Sequence, residues 1–181
     1  MKKKFRLSLK GRVMVFIDAA NILYSQRDLG WRIDYKKLKE YLEKVCDLRG
    51  ICYYTGKVGT LSKQLSFLRR LEGLGYKVKA KEVKMIKIGR KGYLPKGNLD
   101  VELALDAYRQ RRRYETMVLL SGDSDFAYLL DLLIEEKKEV LVMSARGHVA
   151  RELLKRSKYV SLVKLRNFIE FRDSKSPLRG S

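Results

Sequence analysis

The chain has 181 residues, 45% of them hydrophobic, enough for one domain with a real core. No apolar run approaches the ~20 residues of a membrane span, and the basic start Met1–Lys4 is not followed by a signal-peptide core, so a cytoplasmic protein is expected. Lys and Arg number 41 against 21 acids, a net charge of +20, which points to a polyanionic partner, nucleic acid before membrane; the rival explanation is charge carried for solubility or heat tolerance. Cys46 and Cys52 are too few and wrongly spaced for a zinc site. His148 is the only histidine, and nothing around it resembles a catalytic triad.

Residues 1–11 form a basic arm. Val13–Ile17 (VMVFI) is apolar without a period, as in a strand buried on both faces, and it ends in Asp18. Ala19–Asp28 is expected to be helical. Asp34 caps a helix with Leu38, Tyr41, Leu42 and Val45 on one face. Ile51–Tyr54 is a strand. Thr60 caps the next helix, with Leu61, Leu65, Leu68 and Leu71 inward and Gly73 or Gly75 ending it. Tyr76–Ile88 alternates Val and Ile with Lys, as in an exposed edge strand or hairpin that could join two subunits, although its lysines oppose such pairing. Gly89–Gly97 is a loop rich in Gly and Lys, and Leu99–Tyr108 a helix. Met117–Leu130 (MVLLSGDSDFAYLL) reads as buried strand, acidic loop and helix. Val140–Met143 is a strand, Val149–Leu154 a helix, Tyr159–Leu165 a last strand, and residues 166–181 a basic tail. Alternating strands and helices with no internal linker predict one α/β domain over residues 12–165, a three-layer α/β/α sandwich around a mostly parallel sheet.

Acids recur at strand ends. Asp18 closes the first strand, with Asn21 three residues on; Asp123 and Asp125 follow a later one; Asp100 sits at the start of the helix leading back to it. In a doubly wound sheet these carboxyl ends lie side by side, where ligands bind. Two carboxylates ~5 Å apart at an effective dielectric of ~20 repel by about 3 kcal/mol, so protonation, a basic side chain or a divalent cation must offset them. Ligands that are all oxygen favour Mg²⁺ or Mn²⁺, one ion or two. Such ions activate water and clamp the oxygens of an in-line phosphoryl displacement. An acidic hollow in a basic chain would suit a nucleic-acid phosphate. The bland reading of the 121–125 loop alone, a solvated turn, is equally good.

Three segments together, VMVFIDAANIL, KGNLDVELALDAY and LLSGDSDFAYLL, resemble the NYN domain, the LabA-like branch of the PIN-like nucleases. The resemblance spans roughly residues 12–165. It implies a Rossmann-like α/β/α fold and metal-dependent cleavage of RNA, more than DNA, by an endoribonuclease. By that resemblance Asp18, Asp100, Asp123 and Asp125 are the catalytic and metal-binding acids, and Asn21 and Ser121 orient ligands or substrate. Asn98 and Leu99 stand between Gly97 and Asp100, one residue more than the family's spacing.

Lys87, Arg90, Lys91 and Lys96 lead into the Asp100 helix and are candidates for phosphate contact, with Tyr93 as a base-stacking ring. Trp31 could also stack, but core packing is the better expectation. Asp106 is off the Asp100 face and is expected to be structural; Glu102 is expected to be solvated. Gly147 and His148 could offer backbone amides to a phosphate at another strand end. Two other functions remain open. A nucleic-acid-binding module without turnover keeps the basic surface and treats the acids as structural. A phosphatase of the haloacid-dehalogenase type would use Asp123-Ser124-Asp125 as its D-x-D, but Phe126 follows where Thr or Val is wanted, and Ser121-Gly122 separates the first Asp from the strand. Gly56–Thr60 lacks the spacing of a P-loop.

Overall fold

The computed structural model describes residues 7–57, 61–88, 92–96 and 98–172, with the backbone alone for 84–88 and 92–96. Six parallel strands form the central sheet: β1 (Arg12–Asp18), β2 (Asp47–Lys57), β3 (Lys77–Glu82), β6 (Thr116–Leu120), β7 (Glu139–Ser144) and β8 (Lys158–Ser161), in the order β3-β2-β1-β6-β7-β8. β4 (Lys84–Ile88) and β5 (Gly92–Lys96) make a separate antiparallel hairpin.

Each central strand feeds both faces of the sheet, because successive side chains point oppositely. Val13, Val15 and Ile17 of β1, with Val118 and Leu120 of β6, enter one core. Helices α2 (Tyr35–Val45) and α3 (Ser62–Gly73) cover it, with α1 (Ala19–Leu29) and the short α7 (Arg166–Ile169). Met14 and Phe16, with Met117 and Leu119, enter the other. Helices α4 (Asp100–Arg109), α5 (Ala127–Glu135) and α6 (Arg151–Leu154) cover that side. β1 and β6 are almost wholly buried, which explains their unbroken apolar runs. The architecture is therefore the expected three-layer α/β/α sandwich.

Some element expectations change. The Tyr76–Ile88 run is two strands: β3 forms a sheet edge, guarded by exposed Lys77, Lys79 and Lys81, while β4 pairs away from the sheet. The expected Gly89–Gly97 loop contains β5, since Tyr93 and Leu94 pair with Lys87 and Ile86. Thr60 lies outside the described residues; α3 starts behind Leu61, which is 57% exposed rather than inward. The last strand stops at Ser161, where a 3-10 turn over Leu162–Leu165 begins and buries Leu162 and Leu165 at a spacing of three. The chain also stays in the fold past Leu165. Ile169 is fully buried, and Glu170 bridges to Ile33, so the tail does not begin at residue 166. At the other end, Leu7 packs in the core, and the Lys10 carbonyl accepts from the Thr116 hydroxyl, so the described part of the arm is held down. Among the described residues no helix is long and apolar enough to cross a membrane.

Candidate metal centre

The chain lays β1, β2 and β3 outward on one side of β1, then returns to place β6 on the other. The order therefore reverses between β1 and β6, and a crevice opens beyond their carboxyl ends. The register sets Ile17 beside Leu120, so the next residues, Asp18 and Ser121, meet at the rim.

Asp18 is nearly buried and caps α1: its Oδ1 accepts from the backbone amides of Ala20 (3.1 Å) and Asn21 (3.2 Å). The Ser121 hydroxyl donates to Asp18 Oδ2 (2.9 Å) and accepts from the Asp123 amide (3.2 Å). The Gly122 amide donates to Asn21 Oδ1 (3.0 Å). Asp123 in turn accepts from the Asp125 amide (3.0 Å), opening a 3-10 turn over Ser124–Phe126. One chain of hydrogen bonds thus runs from the end of β1 through Ser121 to both loop acids. Gly122 is required by contact: a Cβ there would lie 1.5 Å from the His148 carbonyl oxygen, because residues 145–150 pack over the loop and the Ala150 amide donates to the Gly122 carbonyl.

Asp100 comes from the other side, as the first residue of α4. The Asn98 side-chain amide donates to its Oδ2 (2.6 Å). One carboxylate oxygen each of Asp100, Asp123 and Asp125 lies within 4.8 Å of the other two, a group that could hold a metal ion. Asp18, expected with them, stands beside this group rather than in it, because its carboxylate is turned to cap α1 and hold Ser121. It lines one small hollow with Asp100, Asn98 and Tyr54. Burial, then the charges of Asp18, Asp123 and Asp125, push the Asp100 carboxyl up to about 6. Burial likewise raises Asp18, against the hydrogen bonds from Asn21 and Ser121. Three carboxylate oxygens crowded together, with Asp100 pushed up among them, fit a hard divalent cation.

The other candidates separate clearly. Ser121 is fully buried, its hydroxyl held between the Asp18 carboxylate and the Asp123 amide. Arg90 and Lys91 lie outside the described residues, as do the side chains of Lys87, Tyr93 and Lys96. Trp31 is buried in the core, so it offers no face to a base. Asp106 is structural: it accepts from the Tyr54 hydroxyl (2.9 Å) and pairs with Lys79. Glu102 pairs with Lys81 (2.7 Å) rather than standing alone in solvent. Gly147 and His148 belong to a loop, since α6 begins only at Arg151; the His148 ring meets Asp28 of α1 at 2.6 Å. Asn98 is the site residue that the sequence did not single out. Its signal in the chain is an Asn two residues before an acid at a helix start.

Residues 12–163 match the NYN domain. The protein Low amplitude and bright protein LabA of Synechococcus elongatus is 32% identical over 171 residues, which cover 92% of this chain and 91% of that protein. A crystal structure of a protein of unknown function from Vibrio parahaemolyticus superposes with a TM-score of 0.71 at 22% identity, over 87% of this chain and 96% of that one, and supports the fold. With 152 of 181 residues matched, the chain belongs to the NYN domain family.

Proposed function

We propose that the protein hydrolyses phosphodiester bonds in RNA with the help of Mg²⁺ or Mn²⁺, as an endoribonuclease. One observation carries this reading: three carboxylates gathered within 4.8 Å at the sheet's switch point, in a chain of net charge +20. Membership of the NYN family, within the PIN-like nucleases, supports the same chemistry.

Asp100, Asp123 and Asp125 would hold the ion, with Asp18 beside them. Bound there, such an ion would supply positive charge to the phosphate oxygens and lower the pKa of a nearby water. In the reaction a water oxygen bonds to phosphorus and the bond to the leaving ribose oxygen breaks. The chain's own residues set the geometry. Asp18 fixes Ser121, and Ser121 fixes the backbone of Asp123. Asn21 ties the start of α1 to Gly122. Asn98 turns Asp100 toward the other acids. The basic surface would bind the flanking backbone, with Lys91, Arg90, Lys96 and Tyr93 among its candidates. A haloacid-dehalogenase mechanism gains nothing from this geometry, because Asp123 lies two residues beyond the Ser121 rim and its oxygen caps the following turn.

The test is cleavage of labelled single-stranded RNA and DNA of one sequence in Mn²⁺, in Mg²⁺ and in EDTA, with Asp123→Asn in parallel. Metal-dependent RNA cleavage is expected, reduced roughly a hundredfold or more in Asp123→Asn, with folding and RNA binding retained. Wild-type activity in that variant removes Asp123 from the mechanism. Tight, salt-sensitive binding without cleavage in any metal replaces the reading with that of a binding module.

A further inference from the structure

A half-open groove of about 1170 Å³ lies between α1 and α3, floored by β2. It shares Ala20, Thr55, Gly56 and Asn98 with the hollow at Asp18 and Asp100, so it opens directly onto the acidic centre. At this volume it exceeds the ~300–1,000 Å³ of small-molecule pockets, and an open groove of this size has room for a stretch of polymer.

The lining pairs cations with solvent-exposed rings. Arg27, Arg32, Lys36 and Arg70 line it against one acid, Asp34, which is engaged in capping α2. Among the described residues Arg27, Arg32 and Arg70 have no carboxylate within ion-pair distance. Tyr24 is 63% exposed and Phe171 43%. The Arg27 guanidinium lies 5.2 Å from the Tyr24 ring centre, and that of Arg32 lies 5.0 Å from Phe171. Phe171 is held there by its own backbone amide, which donates to the Arg32 carbonyl (2.8 Å). Exposed rings beside unpaired guanidinium groups bind unstacked bases and their phosphates together, and a duplex cannot present its base faces to them.

We propose that this groove is the track for single-stranded RNA flanking the cleaved bond, with Tyr24 and Phe171 stacking bases and Arg27, Arg32 and Arg70 binding phosphates. The inference rests on the proposed ribonuclease reading and adds to it a preference for unpaired RNA and a set of residues outside the acidic motifs. A peptide or a second copy would cover the apolar part of the lining, Leu23, Phe67 and Leu74 among it, but would also meet four cations and one acid, which a polyanion with stacking bases matches on both counts.

The experiment is fluorescence anisotropy of a labelled single-stranded RNA, and of the same sequence as duplex, in EDTA over a salt series. Tyr24→Ala and Phe171→Ala are each expected to weaken single-strand binding roughly tenfold and to leave duplex binding unchanged. Tyr24→Phe should restore binding, because the ring remains. Arg27→Gln should lower the salt slope by about 0.7. Arg113→Gln removes the same charge at the amino end of β6 and should change affinity little. Thermal melts check that these exposed substitutions leave the fold intact. Unchanged single-strand binding in Tyr24→Ala, or an equal loss for duplex, overturns the groove while leaving the ribonuclease reading in place. A wild-type dimer that Tyr24→Ala dissociates also overturns it, by giving the groove to a second copy. Neither binding nor cleavage of RNA by wild type defeats the ribonuclease reading itself, and the groove with it.

Discussion

The two ends of β1 and β6 handle acids in opposite ways. At the amino end, Glu115 meets Arg12 through side-chain and backbone hydrogen bonds, the shortest 2.5 Å, and its carboxyl is held down at about 2. At the carboxyl end Asp100 faces Asp18, Asp123 and Asp125, and its carboxyl is pushed up to about 6. The same sheet carries both. The amino end satisfies its charge within the chain, as a structural pair does. The carboxyl end leaves like charges together in the crevice beyond β1 and β6, an arrangement that lowers stability unless a cation joins it.

The largest way to break the acidic end is steric. Gly122→Ala places a Cβ 1.5 Å from the His148 carbonyl oxygen, so either the 121–125 loop or the 145–150 loop must move. We expect a loss of about 3 kcal/mol or more, read by chemical denaturation, and loss of cleavage with it. Unchanged stability would mean that the two loops are not packed as described.

The contrast sharpens with metal. Mn²⁺ at about 100 times its dissociation constant should stabilise the wild type by ~2.7 kcal/mol, a rise of roughly 5–10 °C in Tm. Asp100→Asn should invert the response. Without metal it relieves repulsion and raises stability by about 1 kcal/mol, the bare Coulomb figure being discounted for the exposure of Asp125; with Mn²⁺ it forfeits most of the gain. A drop in metal-free stability would show that the acids do not repel one another, contrary to the basis of the site.

The smallest effect lies at the amino end. Glu115→Gln removes an attraction, so it should lower stability slightly, opposite in sign to metal-free Asp100→Asn. The pH dependence follows from the depressed carboxyl. The pair contributes fully above the ordinary value of 4.5, and its contribution fades as pH falls toward about 2. Urea melts between pH 2 and 6 should therefore show the wild type converging on Glu115→Gln at the acid end and diverging above it. Parallel curves across that range would exclude the pair as a source of stability.

Much of the acidic end was legible in the chain. The runs Val13–Ile17 and Val118–Leu120 are apolar at every position, as in a doubly covered strand; the first ends in Asp18, and the second leads through Ser121 and Gly122 to Asp123 and Asp125. Asp34 before Leu38, Tyr41 and Leu42 announced α2 and its cap. The edges were harder to read. Tyr76–Ile88 and Tyr159–Leu165 carry local patterns that fit several pairings, and distant partners decided where each strand stopped.

The sequence by itself determined the α/β/α class, the buried strands and the acids at their ends, because burial and capping write a period or a residue type into a few consecutive positions. Tertiary structure alone decided which side chains meet. It set Asp18 against Ser121, brought Asp100 to Asp123 and Asp125, and joined Tyr24 and Phe171 along one groove from positions 147 residues apart. Those meetings depend on strand order and on the path of the chain end, long-range geometry that no local spacing encodes.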